Sequence, residues 1–344
     1  MYLVTGGGGF LGLYIVEQLV ARGDRVRVFC RGRYPELDRL GVETVHGDLL
    51  RPETFDAACA GVETVIHTAA VPGISVHWRP YYETNTLGTE RLLDACKRQG
   101  VQRFVFTSSP SVTFDLPDQC GVDEARSPYP RRWLGHYAHS KALAEQAVLA
   151  ANSEHFRTCS LRPHLLWGPR DRQILPRVFE RARAGRLFRV GDGTNMIDTV
   201  YVENAAIAHI QAADALVPGS PVPGKAYFLS QGEPINAWKW IDELLALVDL
   251  PPVKRAVSYR FAYTIGAMLE VWYKLWNLQS EPVMTRFLAS QLARSHYFNI
   301  SAARHDFGYA PQIDMAEGMR RLAADLQSRD PADIPKALTV PFNP

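Results

Sequence analysis

Tyr137 and Lys141 are the side chains in this sequence best suited to moving a proton, because a spacing of four places them on one face of a helix that continues through Leu143, Ala144, Ala147 and Val148. A free phenol, with a pKa near ~10, is a poor base at neutral pH. An ammonium about 4 Å away, at an effective dielectric of about 20, contributes on the order of 4 kcal/mol, or about three pKa units. Lys141 is therefore expected to bring the Tyr137 phenol toward neutrality as a proton donor and acceptor. Tyr-x-x-x-Lys alone equally describes an ordinary surface pair, so its context decides. A hydroxyl cluster, Ser108, Ser109 and Ser111, precedes the pair at the end of an apolar strand expected at 101–107. Hydroxyls at the carboxyl edge of a parallel strand lie where such sheets bind ligands.

A second feature needs positioning of its own. Thr5-Gly6-Gly7-Gly8-Gly9-Phe10-Leu11-Gly12 stands between an apolar strand, Tyr2-Leu3-Val4, and a helix with Leu11, Ile15, Val16, Leu19 and Val20 at helical spacing. Strand, glycine turn and helix together describe a dinucleotide site. Gly6 suits the tight turn, Gly9 lets a pyrophosphate approach the backbone, and Gly12 lets the helix pack close to its strand. The helix N-terminus offers N–H groups and a partial positive charge to the phosphates.

The elements that carry these features alternate. Strands are expected at 25–31, 42–48 and 62–70, a short helix at 52–59 and a longer one at 85–99. Brief connections between such units call for right-handed crossovers and an α/β fold, a Rossmann doubly wound parallel sheet. The second strand ends in Cys30-Arg31-Gly32-Arg33, where a carboxylate would otherwise read the adenosine ribose. The Arg31 and Arg33 guanidinium groups suit a 2′-phosphate, so NADP(H) is the preferred cofactor, with NAD(H) admitted. A solvated basic turn is the other reading of these arginines. Thr68, Ala69 and Ala70 are small enough to let a cofactor lie against the fourth strand's end.

Composition narrows the class. The 344 residues are 47% hydrophobic and carry a net charge of +2 with interspersed signs, which suits a globular core and gives no polybasic block for nucleic acid. Cys30, Cys59, Cys96, Cys120 and Cys159 are odd in number and scattered, against a disulfide framework or zinc site. No metal site is expected, and His136, His139 and His164 read as satisfied or solvent-facing histidines. A cytoplasmic location is expected, since a strand starting at residue 2 leaves no leader and no long apolar run suggests a membrane span.

Taken together, Thr5-Gly6-x-x-Gly9-x-x-Gly12, Gly47-Asp48-Leu49, Asn85 with Gly88-Thr89, Thr107-Ser108-Ser109, Tyr137-x-x-x-Lys141, Arg162-Pro163 followed by Trp167-Gly168-Pro169, and Gly191-Asp192-Gly193 before Tyr201-Val202-Glu203-Asn204 form a specific set. The chain resembles an extended short-chain dehydrogenase/reductase of the 3β-hydroxysteroid dehydrogenase type, from residue 2 to about 326. The resemblance implies that Phe10, Leu11 and Leu49 join the glycines at the cofactor, that Asp48 contacts the adenine and that Pro163 borders the nicotinamide. It implies that Asn85 supports a proton relay and that Ser109, of the three hydroxyls, hydrogen-bonds a developing alkoxide. Tyr137 would exchange the proton while Lys141 also holds the nicotinamide ribose. A homodimer is implied as well.

Within that family, members acting on 2-alkyl-3-oxoalkanoates and members acting on sterol 4-carboxylates look closest, and the turn from Arg31 to Leu37 is more like the former. Both substrates place a 3-oxygen function beside a carbon bearing a carboxylate and a large apolar group. A nucleotide-sugar epimerase or a non-catalytic cofactor sensor would share the glycine turn. The division expected is a cofactor domain over 1–163, to which parts of 196–230 return, a smaller substrate-binding region over 164–328, and an extended tail over 329–344. In the second region, helices are expected at 174–184 and 203–216 and a strand at 225–229. Phe261, Ile265, Met268, Trp272, Leu275 and Trp276 recur at helical spacing within 258–298. They read either as a core helix or as the roof of a hydrophobic substrate site that also dips into a membrane interface. Asp198 and Tyr201 are expected to support the N-terminus of the helix that follows them.

Overall fold

The computed structural model describes residues 1–329, so the expected tail, apart from Arg329, lies outside the described residues. Seven strands, β1 (Tyr2–Thr5), β2 (Val26–Cys30), β3 (Glu43–His46), β4 (Thr64–His67), β5 (Arg103–Thr107), β6 (Arg157–Pro163) and β7 (Ala226–Leu229), form one parallel sheet in the order β7-β6-β5-β4-β1-β2-β3. This is the doubly wound Rossmann order with an added edge strand. The strand order reverses at β1, which leaves a crevice at the carboxyl ends of β1 and β4, where such sheets bind ligands.

The central strands are short apolar runs because both of their faces are covered. Val4, Ile66 and Val105 point into one apolar cluster, while Leu3, Val65, Phe104 and Phe106 point into the other. Helix α1 (Phe10–Ala21) covers the first face. On the second face lie α2 (Gly88–Arg98), entered through a π-helical turn at Tyr82–Leu87, and α3 (His136–Ala150), which contributes Ala144 and Val148. Helix α4 (Val202–Asp214) packs beside α1 on the first face, and β7 pairs with β6, so residues well beyond 163 complete the sheet and its cover.

A third apolar cluster, with Trp167, Phe179, Trp240 and Leu244 among its members, holds the remaining C-terminal elements together. Short strands at Gln119–Val122 and His296–Phe298 pair in parallel, so the two halves of the chain interlock. Asp198 serves that junction rather than a helix N-terminus: its Oδ2 accepts the Phe298 N–H at 2.7 Å.

Helix α5 (Tyr259–Leu275) bears out the helical spacing, but its bulky residues do not make it a core helix. Ala262, Gly266 and Glu270 face the protein, whereas Phe261, Met268, Val271, Trp272 and Leu275, with Trp276 just beyond, are exposed. Only small side chains fit where this helix approaches the 285–286 backbone, so the large ones turn outward. Among the described residues no helix is long and apolar enough to cross a membrane.

Candidate active site

The glycine turn is built by contacts that leave no room for larger residues. Gly6 adopts φ +70°, donates to Phe29 O at 2.8 Å and accepts from Gly9 N–H at 2.8 Å. A Cβ on Gly12 would lie 2.2 Å from the Gly6 carbonyl oxygen, so α1 begins against the turn itself. The first-turn N–H groups of Phe10, Leu11 and Gly12 have no partner within the helix and face outward along its axis. Such a cradle fits the pyrophosphate of a dinucleotide.

The neighbouring strand ends are pinned together by His67. Its Nδ1 lies 2.6 Å from Thr5 Oγ1 and its Nε2 3.0 Å from Thr89 Oγ1, which ties β1, β4 and α2 at one point. Burial, reinforced by Lys141, lowers the His67 pKa to about 3, so it acts here as a neutral connector. Thr68 Oγ1 donates to Thr5 O at 2.7 Å, and half-buried Thr68, Ala69 and Ala70 lie beside the glycine turn. At the end of β2, Arg31 and Arg33 are exposed. The closest carboxylate to Arg31 is Asp48 at 3.9 Å, and Asp48 itself accepts the Leu50 N–H at 3.0 Å. Leu49 is buried against Gly88, and Pro163 ends β6 opposite Leu229. Sequence reasoning missed Tyr34, whose ring packs directly over Gly8. The Tyr in the turn after Arg33 was the available signal.

Helix α3 carries the proton-moving pair, and here the expected electrostatics is corrected. Burial pushes the Tyr137 phenol up to about 12 instead of lowering it, and burial drives Lys141 down to about 7 against the opposing pull of Glu145. Both shifts have one cause: a low-dielectric setting favours the neutral form of an acid and of a base alike. A lysine so close to losing its proton is a weak source of positive charge for its neighbour. Lys141 Nζ lies 3.9 Å from the centre of the Phe106 ring.

Glu145, one further turn along α3, is the residue that sequence reasoning overlooked. It is fully buried, receives Arg162 Nη2 at 2.6 Å, Tyr129 Oη at 2.7 Å and Ser160 Oγ at 2.7 Å, and so fastens α3 to β6. Its spacing of four from Lys141 was the signal. Asn85 sits in the π-helical turn, where Oδ1 accepts Val71 N–H at 2.8 Å and Nδ2 donates to Val71 O at 3.0 Å and Ser140 Oγ at 3.1 Å. Ser140 in turn donates to Tyr137 O at 2.8 Å, so Asn85 reaches the pair through α3's own backbone. Ser109 caps a short 3₁₀ turn, its Oγ accepting Ser111 N–H at 3.2 Å and lying 2.9 Å from Ser111 Oγ.

Tyr137 opens into a cleft of about 100 Å³. Ile74, Val76, Trp133, Leu134 and Phe287 supply apolar walls, and His136, Glu270, Lys274 and Arg286 supply the polar ones. Ser109 does not line this cleft, and neither do the bulky residues of α5. His139 is held between Trp78 and Trp133, with ring centres 4.7 and 5.0 Å away, and His164 pairs with His296 at 2.8 Å.

Residues 3–257 match the model of the 3-beta hydroxysteroid dehydrogenase/isomerase family. The chain is similar to a 2-alkyl-3-oxoalkanoate reductase of Stenotrophomonas maltophilia (strain K279a), 47% identical over 94% of this chain and 98% of the relative. It is 34% identical to a sterol-4-alpha-carboxylate 3-dehydrogenase, decarboxylating, of Mus musculus, over 92% of this chain and 88% of that one. Among solved structures, a dTDP-glucose 4,6-dehydratase of Streptomyces venezuelae with NAD bound shares the fold, with a TM-score of 0.74 over 96% of this chain and 97% of that one at 22% identity.

The lysine shift has a measurable sign. With a folded-state pKa near 7 against an ordinary value of 10.5, Lys141 makes the unfolded chain bind the additional proton between those values. Stability from this group therefore rises with pH across that window. Lys141→Met, which keeps length and loses charge, should be more stable than the parent at pH 7 by urea unfolding, with the gap closing toward pH 10. A destabilised variant at pH 7, or a gap that widens with pH, contradicts the burial argument.

Proposed function

The chain belongs to the 3-beta hydroxysteroid dehydrogenase/isomerase family and is a nicotinamide-dependent oxidoreductase of the short-chain dehydrogenase type acting between CH–OH and C=O; we propose that its substrate is a long-chain 2-alkyl-3-oxoalkanoate, reduced to the 3-hydroxy acid with NADPH. The observation that carries this reading is the end-to-end likeness to the 2-alkyl-3-oxoalkanoate reductase. The cleft supports it, since apolar walls and cationic groups together suit an amphiphilic acid.

A bound nicotinamide supplies the hydride for the ketone carbon. The glycine turn and α1 would hold its pyrophosphate, and Lys141 its ribose, with Asp48 and Leu49 at the adenine and Pro163 at the ring. Tyr137, kept protonated by burial, donates its proton to the ketone oxygen as negative charge develops there. An un-ionised phenol is the right starting form for reduction. The family resemblance implies Ser109 for the same oxygen, but Ser109 lies outside the cleft lining, so Tyr137 is the group that meets the ketone there, and Asn85 sustains proton return by fixing the 71 backbone and Ser140 around α3.

Turnover of β-keto acids of increasing alkyl length, a 4-carboxysterol and a UDP-sugar tests the substrate. kcat/KM should climb along the alkyl series by up to about 0.8 kcal/mol, roughly fourfold, for each buried CH₂. Tyr137→Phe should bind cofactor yet lose turnover on the order of 10²-fold or more. Sterol oxidation without the alkyl trend would transfer the assignment to the sterol type, and activity on the UDP-sugar alone to an epimerase.

NADPH preference rests on Arg31 and Arg33. Arg31→Ala should weaken NADPH binding about tenfold to a hundredfold and leave NADH nearly unchanged, because a charge-assisted contact is worth about 1.5–3 kcal/mol. Equal parental dissociation constants for NADH and NADPH would remove the basis of this assignment.

The exposed face of α5 is assigned to an anionic lipid surface. Phe261, Met268, Trp272, Leu275 and Trp276 lie outward, Lys254, Arg255 and Arg260 are exposed nearby, and the one carboxylate between 251 and 280, Glu270, is buried. Apolar residues flanked by basic ones match an interfacial helix on acidic headgroups. The chain should sediment with phosphatidylglycerol vesicles, less with neutral phosphatidylcholine, and lose most binding in the Trp272→Ser/Trp276→Ser double variant. Failure to sediment with either vesicle contradicts it.

A further inference from the structure

Glu270 and Lys274 stand one turn apart on α5, and both reach the cleft into which Tyr137 opens. Their situations differ. The Glu270 carboxylate is buried and accepts two hydrogen bonds from one residue, from Arg286 N–H at 2.7 Å and Nε–H at 2.8 Å, with Arg286 Nη2 in an ion pair at 2.7 Å. Its charge and that of Arg286 cancel, and the Arg286 guanidinium is already turned toward Glu270. Lys274 has no such arrangement: among the described residues, no Asp or Glu forms an ion pair with its ammonium, although its charge is felt by His136.

His136 neighbours Tyr137 in sequence and is held in its neutral form by burial and by Lys274. With His136 and Tyr137 neutral, and Glu270 matched to Arg286, the charge of the cleft is the single positive charge of Lys274. Lys274 is exposed, so this cation stands at the open side of the cleft that Tyr137 also lines, where it suits a substrate that carries an anionic group near its reacting oxygen. In a 3-oxo acid the carboxylate and the ketone are separated by one carbon, which carries the alkyl branch.

We propose that Lys274 is the carboxylate-binding residue of the Tyr137 cleft and sets its preference for 3-oxo acids over their uncharged analogues. This rests on the reductase reading above. With the carboxylate on Lys274 and the ketone oxygen at Tyr137, a substrate is fixed at two points, and its alkyl groups are directed to the walls formed by Ile74, Val76, Trp133, Leu134 and Phe287. A charged pair of this kind also orients the ketone, because two fixed points leave little freedom to rotate.

The experiment compares a freshly prepared 2-alkyl-3-oxoalkanoate with its methyl ester, which has the same chain and ketone without the charge, using NADPH and the parent protein, Lys274→Met and Lys274→Arg. The parent should favour the acid, and Lys274→Met should lower the acid-to-ester ratio of kcat/KM about tenfold to a hundredfold, mainly through a higher KM for the acid. Lys274→Arg should retain most of the ratio, since the charge is restored. NADPH affinity and melting temperature should match the parent in both variants, which separates loss of a substrate contact from a folding defect. An unchanged ratio in Lys274→Met, with good turnover by the parent, overturns the assignment alone. If the parent turns over neither compound, the reductase reading fails and the assignment falls with it.

Discussion

The buried ion pair between Glu145 and Arg162 is the constraint on which the active-site geometry depends. It joins α3, which carries Tyr137 and Lys141, to β6, which ends at Pro163, and both members are almost fully removed from water. Taking two charges out of water costs several kcal/mol per ion, so such a pair is weak evidence of net stability. Its directional value is greater. Tyr129 and Ser160 satisfy the remaining acceptor capacity of Glu145, and any rotation of α3 would leave a buried charge without partners. Arg162 pulls the Glu145 carboxyl below its ordinary range despite burial, so the pair stays ionised.

The same low-dielectric surroundings determine what Tyr137 and Lys141 can do. A pairing that looks like ammonium and phenolate on a helical wheel becomes, once buried, a phenol and a nearly neutral amine. Desolvation outweighs the attraction expected at an effective dielectric of about 20, because that estimate assumed a charged lysine. At neutral pH the resting phenol is therefore in its proton-donating form. His67 follows the same rule, serving as a neutral tie between β1 and α2.

Helix α5 shows how one element divides its work between faces. Small residues and Glu270 meet the protein, Lys274 reaches the cleft, and the large apolar residues are exposed. The polar lining of the cleft and the apolar outer face are thus set by opposite sides of the same helix.

By itself, the sequence determined the sheet and the location of its ligand-binding edge. Glycine spacing, apolar runs of strand length and helical periodicity are local signals, and they place β1 to β5 and β7 within about three residues, together with the turn at Gly6 to Gly12 and the Tyr137–Lys141 face; β6, at Arg157–Pro163, was not expected as a strand. Family resemblance added Asn85, Asp48 and Pro163 as sites to inspect. Hidden from local pattern were Glu145 as the anchor of α3, Tyr34 over Gly8, the link of Asp198 to Phe298, and the outward turn of Trp272 and Leu275. Each depends on a partner far along the chain or on the room left beside another backbone. The direction of the Tyr137 and Lys141 shifts belongs to the same group. Spacing says which groups are neighbours, but only the tertiary structure decides how much water they keep, and burial sets which of them bears a charge.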